Sequence, residues 1–343
     1  MTTVFAIETS CDESAAAIVR DRRVIASVVA SQIDLHRRTG GIVPEVASRE
    51  HLLTLNPVIA ECFEQSGLTW DAIDGIAVTA APGLVGSLLM GVTAAKTLAL
   101  INNKPLIAVH HHEGHIYSAY LSDPMLEPPF ACLLVSGGHT SLVAVEGHGH
   151  YRTLGQTRDD AVGEAYDKVA RLLDLGYPGG PQIDKLAQVG NPRAFALPGG
   201  RMDHPYDTSF SGLKTAVLRL VEKQRALGLT VDRADLAASF QHTVVEALVK
   251  RTLAAMEELN TQTVVVAGGV AANRGLRVRL DTATRARGTR AIFPPFEYCT
   301  DNAAMIACAG AERLARGCRS SLGVGVYSRL RLEESAVLYD STC

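Results

Sequence analysis

Two histidines and a distant aspartate are the side chains whose types and spacing best fit a chemical function. His111 and His115 are four residues apart in the string HHHEGHIYSAYL, and Asp301 lies far downstream in CTDNAAMIACAG. On a helix, this spacing places two imidazoles one above the other, so that both can bind one metal ion. A carboxylate brought in by the fold would add a third ligand and leave coordination positions open for a substrate. The spacing predicts a metal site, and a solvated cluster of surface histidines is the alternative.

The same string argues against a zinc metalloprotease. That chemistry needs H-E-x-x-H, in which the glutamate lies between two ligand histidines. Here Glu113 is followed by Gly114 and then His115, which is one residue short. Gly114 also weakens the prediction of a regular helix at this point.

Two glycine turns follow predicted strands. In VSGGHTS, glycines allow backbone N–H groups to face an anion, although a simple tight hairpin would have the same sequence. AGGVAANRGL follows the predicted strand Val264–Ala267, at the position where nucleotides bind in open α/β sheets. It is neither a Walker motif nor GxGxxG. Asn273 within it can contact a base or ribose, or it can cap the following helix.

Several acidic side chains are further candidates for a site. Asp184 comes about one turn into a helix that begins at the glycines of GYPGGPQIDKLA. Asp167 lies on a predicted helix, where a surface ion pair with Lys168 is the alternative. Asp12 and Glu13, in ETSCDES, can hold a cation, accept a proton, contact a partner or simply be solvated.

The elements that position these residues alternate between strands and helices, which predicts an α/β fold. The hairpin formed by Val4–Ile7, ETSCDES and Ala15–Val19 returns about 127 positions later as Ala131–Val135, SGGHTS and Leu142–Val145. This repeat predicts a duplicated architecture with a cleft between its halves. Further strands are predicted over Gly75–Thr79 and Pro105–Val109, and helices over Leu84–Leu100, Asp160–Leu175, Pro181–Val189, Ala234–Leu259 and Ala303–Arg316.

Length and composition are typical of a two-domain globular enzyme. The chain has 343 residues, of which 47% are hydrophobic and 20% charged. Its net charge of −3 excludes a strong overall attraction to nucleic acid, so any RNA-binding surface must be local or supplied by a partner. We expect a cytoplasmic protein that does not enter a membrane, because no signal peptide and no apolar run of about 18 residues is found.

Ten motifs occur in a fixed order along the chain: ETSCDES, PEVASREH, PGLVGSLLMG, HHEGH, LVSGGHTSL, GEAYDKVARLL, YPGGPQIDKLA, SFSGLKTA, VAGGVAANRGLR and CTDNAAMIA. Together they closely resemble the bacterial tRNA threonylcarbamoyladenosine transferases, the TsaD family, once misnamed sialoglycoprotein endopeptidases. The resemblance covers roughly residues 3–325.

The resemblance implies an actin-like (ASKHA, ribonuclease-H-like) α/β fold with two lobes and a cleft between them. Residues 1–130 would form the first lobe, completed by a C-terminal helix at about 303–325. Residues 131–302 would form the second lobe, with a helical insertion at about 155–255.

The resemblance also implies an acyltransferase that acts on tRNA. Members of the family transfer a threonylcarbamoyl group from threonylcarbamoyl-AMP to N6 of adenosine 37 in tRNAs that read ANN codons, and AMP is released. Their expected partners are a TsaB-like paralogue and a TsaE-like P-loop ATPase. This chain has no P-loop, so ATP use is expected in that ATPase, and the apolar segments Ile42–Ala60 and Leu84–Leu100 are candidates for the paralogue interface.

Site residues are carried over from the family motif by motif. The metal ligands would be His111, His115 and Asp301, holding one divalent ion, Fe²⁺ by resemblance, although this donor set suits Zn²⁺ as well. The adenylate would contact, as the resemblance implies, Leu134, Val135, Ser136, Gly137, Gly138, Asp167, Gly180, Asp184 and Asn273. Asp12 or Glu13 is the candidate general base.

The chain departs from the family pattern at two positions. His112 stands where an apolar residue is more usual, so a metal register that uses His112 in place of His111 stays open. Ala81 replaces the usual glycine before Pro82. Two other functions fit the same fold: an ATP-dependent small-molecule kinase, which would not need the histidine pair, and a nucleotide-binding scaffold without catalysis.

Overall fold

The computed structural model describes residues 1–200 and 202–340, which form two compact units. The first unit contains residues 1–128, 146–152 and the chain from residue 294 onward. The second unit contains residues 129–145 and 153–293. Each unit is built around one five-stranded sheet.

The first sheet has the order β3-β2-β1-β4-β5. Strand β1 pairs antiparallel with β2, with Val4 opposite Val19, and parallel with β4. Three helices pack on this sheet: α2 (Pro44–Ser66), α3 (Val85–Ile101) and α10 (Ala303–Ala315). The inner strands are therefore buried along their whole length and form continuous apolar runs. The strands are β1 (Thr3–Glu8), β2 (Glu13–Arg20), β3 (Arg23–Ser31), β4 (Gly75–Ala81) and β5 (Leu106–His110).

The second sheet repeats this order as β8-β7-β6-β9-β10. Strand β6 pairs antiparallel with β7, with Leu133 opposite Leu142, and parallel with β9. Both hairpins of the predicted repeat are therefore confirmed, and each is followed by parallel strands in the same arrangement. The strands are β6 (Phe130–Val135), β7 (Thr140–Gly147), β8 (His150–Gln156), β9 (Thr263–Ala267) and β10 (Arg290–Ile292).

Within the described residues, five α-helices belong to each unit. Those of the first unit are α1 (Ile33–Thr39), α2 (Pro44–Ser66), α3 (Val85–Ile101), α4 (His111–Tyr117) and α10 (Ala303–Ala315). Those of the second unit are α5 (Val162–Leu172), α6 (Gly179–Ala187), α7 (Ser211–Ala226), α8 (Arg233–Glu258) and α9 (Arg274–Arg285).

The predicted helices are confirmed, with ends that shift by a few residues. Helix α2 begins at Pro44, where the missing N–H costs no hydrogen bond, and ends before Gly67, which adopts φ +65°. The sequence pattern does not predict α1, α7, β3, β8 or β10. None of the helices in the described part of the chain is long and apolar enough to cross a membrane.

Candidate functional site

The predicted metal ligands converge in the first unit. Nε2 of His111 lies 3.4 Å from Oδ1 of Asp301, and Nε2 of His115 lies 3.2 Å from the same oxygen. The donor atoms of the three residues all lie within 4.8 Å of one another. The grouping contains His111 rather than His112, whose imidazole instead lies edge-on to that of His110.

Close packing of α4 against α10 brings these residues together. The two helices meet at Gly114, where an added Cβ would lie only 2.5 Å from Cδ1 of Ile306. Asp301 is held just before α10, because the side chain of Asn302 caps that helix by accepting a hydrogen bond from the N–H of Met305. The glycine that weakened the helix prediction is thus required for packing.

A buried ion pair between Glu113 and Arg313 also joins α4 to α10. Glu113 is fully buried and accepts hydrogen bonds from Arg313 Nε at 2.9 Å and from the Tyr151 hydroxyl at 2.7 Å. The Arg313 guanidinium also lies over the ring of Tyr339. Glu113 therefore has a structural partner on α10 and does not face the histidine pair as a protease base would.

Glu8 holds His111 from the other side of its ring. Its Oε2 lies 3.2 Å from Nδ1 of His111 and accepts a hydrogen bond from the Thr79 hydroxyl, while Ser10 Oγ lies 3.2 Å from the same Nδ1. A carboxylate behind a histidine fixes the ring orientation and leaves the opposite nitrogen available as a ligand. Glu8 was not predicted as a site residue, although it lies in the ETSCDES string, because its side chain acts through His111.

The donor set fits a divalent metal ion. His115 is 1% exposed at its side chain, yet apart from the contact with Asp301 its ring nitrogens find no hydrogen-bond partner among the described residues. A buried imidazole with so few polar partners is costly, and a metal would satisfy it. Ligands bound at about 2.1 Å to one ion lie roughly 3.0–3.4 Å apart, which matches the separations from Asp301.

The charged groups at this site shift one another's pKa. Burial alone would raise the pKa of Asp301, but the facing charge of His111 outweighs it and holds that pKa well below its usual range. Burial and the like charge of His111 lower the pKa of His115, which favours the neutral imidazole that a metal binds. Burial, followed by the charges of Asp301 and Asp12, raises the pKa of Glu13 to about 10.

Asp12 and Glu13 lie where β1 turns into β2, in the same unit as the metal ligands. Asp12 is 9% exposed, and Glu13 accepts a hydrogen bond from Ser31 Oγ at 3.2 Å. The turn is held by His51, whose Nε2 lies 3.0 Å from the Cys11 carbonyl and whose Nδ1 lies 2.7 Å from Ser14 Oγ. A buried histidine of α2 therefore fixes the turn that carries Asp12 and Glu13.

The SGG turn of the second unit is an exposed hairpin turn with open space around its glycines. A Cβ added at Gly137 or Gly138 would meet no atom within 4 Å. The turn packs instead on two other glycines: a Cβ at Gly163 would lie 2.6 Å from the Ser136 carbonyl oxygen, and one at Gly268 would meet the carbonyl of Val135. These contacts place the start of α5 and the end of β9 beside the turn.

Asp167, Asp184 and Asn273, which are also predicted to bind the substrate, form hydrogen bonds within the second unit. Asp167 accepts a hydrogen bond from the N–H of Gly179 at 2.7 Å, and its pKa is raised mainly by burial. Asp184 accepts a hydrogen bond from Gln241 Nε2 at 3.1 Å. Asn273 caps α9 through the N–H of Leu276. The capping alternative for Asn273 is thus realised.

Two side chains of this network were missed in the sequence. Gln241 Oε1 accepts a hydrogen bond from Asn273 Nδ2 at 2.8 Å, and the Tyr166 hydroxyl lies 3.4 Å from that oxygen. Both belong to helices whose apolar pattern gives no sign of a polar role. Nothing in the local sequence around Gln241 distinguishes it from a solvated residue.

Comparison with known proteins decides the family. Residues 23–308 match the family described as TsaD: tRNA N6-adenosine threonylcarbamoyltransferase. The chain belongs to this family. A tRNA N6-adenosine threonylcarbamoyltransferase of Gloeobacter violaceus is 71% identical over 99% of this chain and 98% of its own length. One from Nostoc sp. is 60% identical over 99% of this chain and its own full length.

Solved structures show the fold at much lower identity. HypF of T. kodakarensis shares 14% identity with a TM-score of 0.61, covering 92% of this chain and 47% of that one. Component A of the Acidaminococcus fermentans (R)-2-hydroxyglutaryl-CoA dehydratase shares 15% identity with a TM-score of 0.52, covering 92% and 98%. The predicted actin-like α/β fold is therefore confirmed.

Membership of the TsaD family makes this chain a transferase that modifies tRNA. The family also implies a metal ion, and the residues His111, His115 and Asp301 supply a donor set that fits one.

Proposed function

We propose that this protein transfers the threonylcarbamoyl group from threonylcarbamoyl-AMP to N6 of adenosine 37 in tRNAs that read ANN codons, releasing AMP. The observation that supports this most strongly is the 71% identity to a tRNA N6-adenosine threonylcarbamoyltransferase over nearly the full chain. The convergence of His111, His115 and Asp301 adds a candidate catalytic centre. The enzyme would work in the cytoplasm, where its tRNA substrate is found.

The metal ligands would be His111, His115 and Asp301, and the ion would be Fe²⁺, with Zn²⁺ as the alternative. When bound, the ion would act as a Lewis acid towards the carbamoyl carbonyl. A mixed carbamoyl–phosphate anhydride is already activated, so the chain needs no nucleophilic serine or cysteine. Its residues would mainly orient the donor, because the adenine amine is a poor nucleophile and positioning supplies most of the rate.

Residues of the second unit would bind the adenylate. Backbone N–H groups of Gly137 and Gly138 can stabilise the phosphate that leaves as AMP, whereas that of Ser136 donates to the His139 carbonyl within the turn. Leu134, Val135, Gly180 and the polar groups of Asp167, Asp184 and Asn273 would surround its ribose and base. The hydrogen bonds that Asp184 and Asn273 make to Gln241 would keep their side chains in fixed rotamers before the nucleotide arrives.

Asp12 is the better candidate for the group that accepts the proton from the attacking amine. Burial, followed by the charges of Asp301 and Asp12, raises the pKa of Glu13, which favours its protonated carboxyl over the carboxylate that a base requires. Asp12 lies beside it in the same turn. Glu13 would then help to set the electrostatic field of the turn.

A paralogue of the same fold would bind the outer face of α2 and α3, and a P-loop ATPase would supply ATP hydrolysis. These helices cross closely, since Gly86 lies directly against Ser48. Large apolar side chains are exposed on them, namely Leu52 at 65%, Leu53 at 71%, Val85 at 47% and Leu89 at 43%. Large exposed apolar side chains on two neighbouring helices are typical of a protein interface.

The function is tested by incubating the metal-loaded chain and its partners with unmodified tRNA and either threonylcarbamoyl-AMP or ATP plus a small-molecule phosphate acceptor. We expect threonylcarbamoyladenosine in nuclease digests and AMP in equal amount. Phosphorylated small molecule without modified nucleoside would favour a kinase. Absence of both products, with nucleotide still bound, would favour a scaffold.

A further inference from the structure

The second unit carries a broad concave surface that is separate from its predicted adenylate residues. Its volume is about 1230 Å³, and it is lined by residues 192–200, by α8 and by α9. We propose that this groove binds the sugar–phosphate backbone of the tRNA substrate. The inference rests on the proposed function, because it takes tRNA as the polyanion.

Positive charge dominates the described lining of the groove. Among the described residues, its only acidic side chain is Glu246. Its basic side chains are Arg193, Lys250, Arg251, Arg279 and Arg287. Since the whole chain has a net charge of −3, this excess is local and opposite in sign to the molecule as a whole.

Two of these cations have partners within the protein. Arg279 binds Glu246 through two contacts, at 2.5 and 3.0 Å, so the acidic group of the groove is neutralised. Arg251 donates to the carbonyl oxygens of Asp207 at 2.6 Å and Gly200 at 2.7 Å. These bonds fix two side chains of the groove lining while leaving its net charge positive.

Three cations remain available to a ligand. Arg193, Lys250 and Arg287 are exposed, and their side chains form no ion pair or hydrogen bond within the described chain. They belong to three different segments, which are the 192–200 stretch, α8 and the turn after α9. Charges distributed around a groove match a line of phosphates, whereas a small anion needs several donors at one point.

The shape of the surface favours RNA over a lipid membrane. A membrane-bound helix presents apolar side chains on a protruding face. Here apolar residues such as Leu197 and Leu253 line a concave surface, which a flat bilayer does not follow. A curved backbone with its sugars can fill the same space.

The test compares charge reversals inside and outside the groove. The groove variant is Lys250→Glu with Arg287→Glu. The matched control is Arg219→Glu with Lys223→Glu, two exposed cations on α7 of the same unit that do not line the groove. Binding of fluorescent unmodified tRNA is measured by anisotropy over a salt series, with the full chain and its partners, and modified nucleoside is measured in parallel.

We expect the groove variant to bind tRNA at least about tenfold more weakly, with a salt slope lowered by about two. Its rate at saturating tRNA and its melting temperature should match the wild type. The control should bind tRNA as the wild type does.

Unchanged affinity and slope in the groove variant, or an equal loss in the control, would overturn the proposal while leaving the transferase function standing. A different outcome is that the wild type forms no modified nucleoside but still binds tRNA more tightly than the groove variant does. That result would support tRNA binding by the groove and would reject the proposed transferase function. If the groove variant bound phosphatidylserine vesicles more weakly than the wild type but bound tRNA equally well, the surface would be a membrane-binding site and the proposal would be rejected.

Discussion

The carboxylate of Glu8 lies 3.2 Å from Nδ1 of His111, on the side of the ring opposite the nitrogen that faces Asp301. When Nδ1 carries the proton and its N–H donates a hydrogen bond to this carboxylate, Nε2 keeps its lone pair for a metal. Glu8 is fully buried and ends β1, so the sheet itself fixes this orientation. Strand β1 therefore contacts the proposed metal ligand His111 through the side chain of Glu8.

Replacing Glu8 by Gln should weaken metal binding. The amide keeps the size of the side chain but loses the charge that supports His111, so we expect a dissociation constant raised by about 10–100-fold. Competition with a chromophoric chelator measures it. The control is Glu45→Gln, which removes only an exposed ion pair with Arg49 and should change nothing. Equal affinity of wild type and Glu8→Gln would show that Glu8 does not support the ligand.

The contact between Gly114 and Ile306 should matter for both the stability of the fold and the binding of the metal. In Gly114→Ala, the new methyl group would displace α4 from α10, and we expect about 1–3 kcal/mol less unfolding free energy together with reduced metal content. Chemical denaturation and elemental analysis check the two effects.

A second substitution separates the steric effect from a general helix effect. Ile306→Val removes the Cδ1 atom that the added methyl group would meet, so a variant carrying both substitutions should regain metal content. Gly212→Ala, in α7 with no atom within 4 Å of the added Cβ, should be neutral or slightly stabilising. A harmless Gly114→Ala would contradict the proposed packing constraint.

Tertiary contacts such as that between Gly114 and Ile306 limit what could be predicted from the sequence. The repeat of hairpins and the pairing of His111 with His115 were predictable, because apolar strands and a four-residue histidine spacing leave local signals. Asp301 was assigned through the resemblance to the TsaD family, and the fold brings it beside the two histidines. Gly114 was misread as a weak point of a helix, since its contact with Ile306 joins residues far apart in the chain. Gln241 was missed for the same reason: its partner Asn273 is fixed by tertiary structure alone.

Asp159 should stabilise the start of α7. Its carboxylate accepts hydrogen bonds from Ser209 Oγ, Ser211 Oγ and the N–H of Phe210. Asp159→Ala should therefore cost about 1 kcal/mol at pH 7, as expected for the loss of a helix cap.

The pH dependence of that loss has a definite direction. Despite partial burial, which raises it, the pKa of Asp159 is lowered by its hydrogen bonds to Ser209 and Ser211. The carboxylate thus stabilises the fold above the ordinary value of 3.8, and this contribution disappears as the pH falls through the lowered pKa. Urea titrations of both proteins at pH 7 and about pH 3 measure the difference in unfolding free energy. A difference that grows on acidification would contradict the assignment.

The exposed face of α3 should be required for binding the paralogue. Leu89→Glu places a charge on a 43% exposed position, so we expect loss of the heterodimer with a change in stability within about 0.5 kcal/mol. Size-exclusion chromatography with light scattering measures the complex. Val278→Glu, an exposed apolar position on α9, is the control and should leave the heterodimer intact. A heterodimer that survives Leu89→Glu would exclude this face as its centre.

The most direct measurement is the rate at which the metal-loaded chain, with its partners and threonylcarbamoyl-AMP, forms threonylcarbamoyladenosine on unmodified tRNA, compared between the wild type and His115→Ala. We predict repeated turnover by the wild type and a rate at least about 100-fold lower for the variant, with melting behaviour retained. Equal rates for the two proteins would contradict the proposed metal centre.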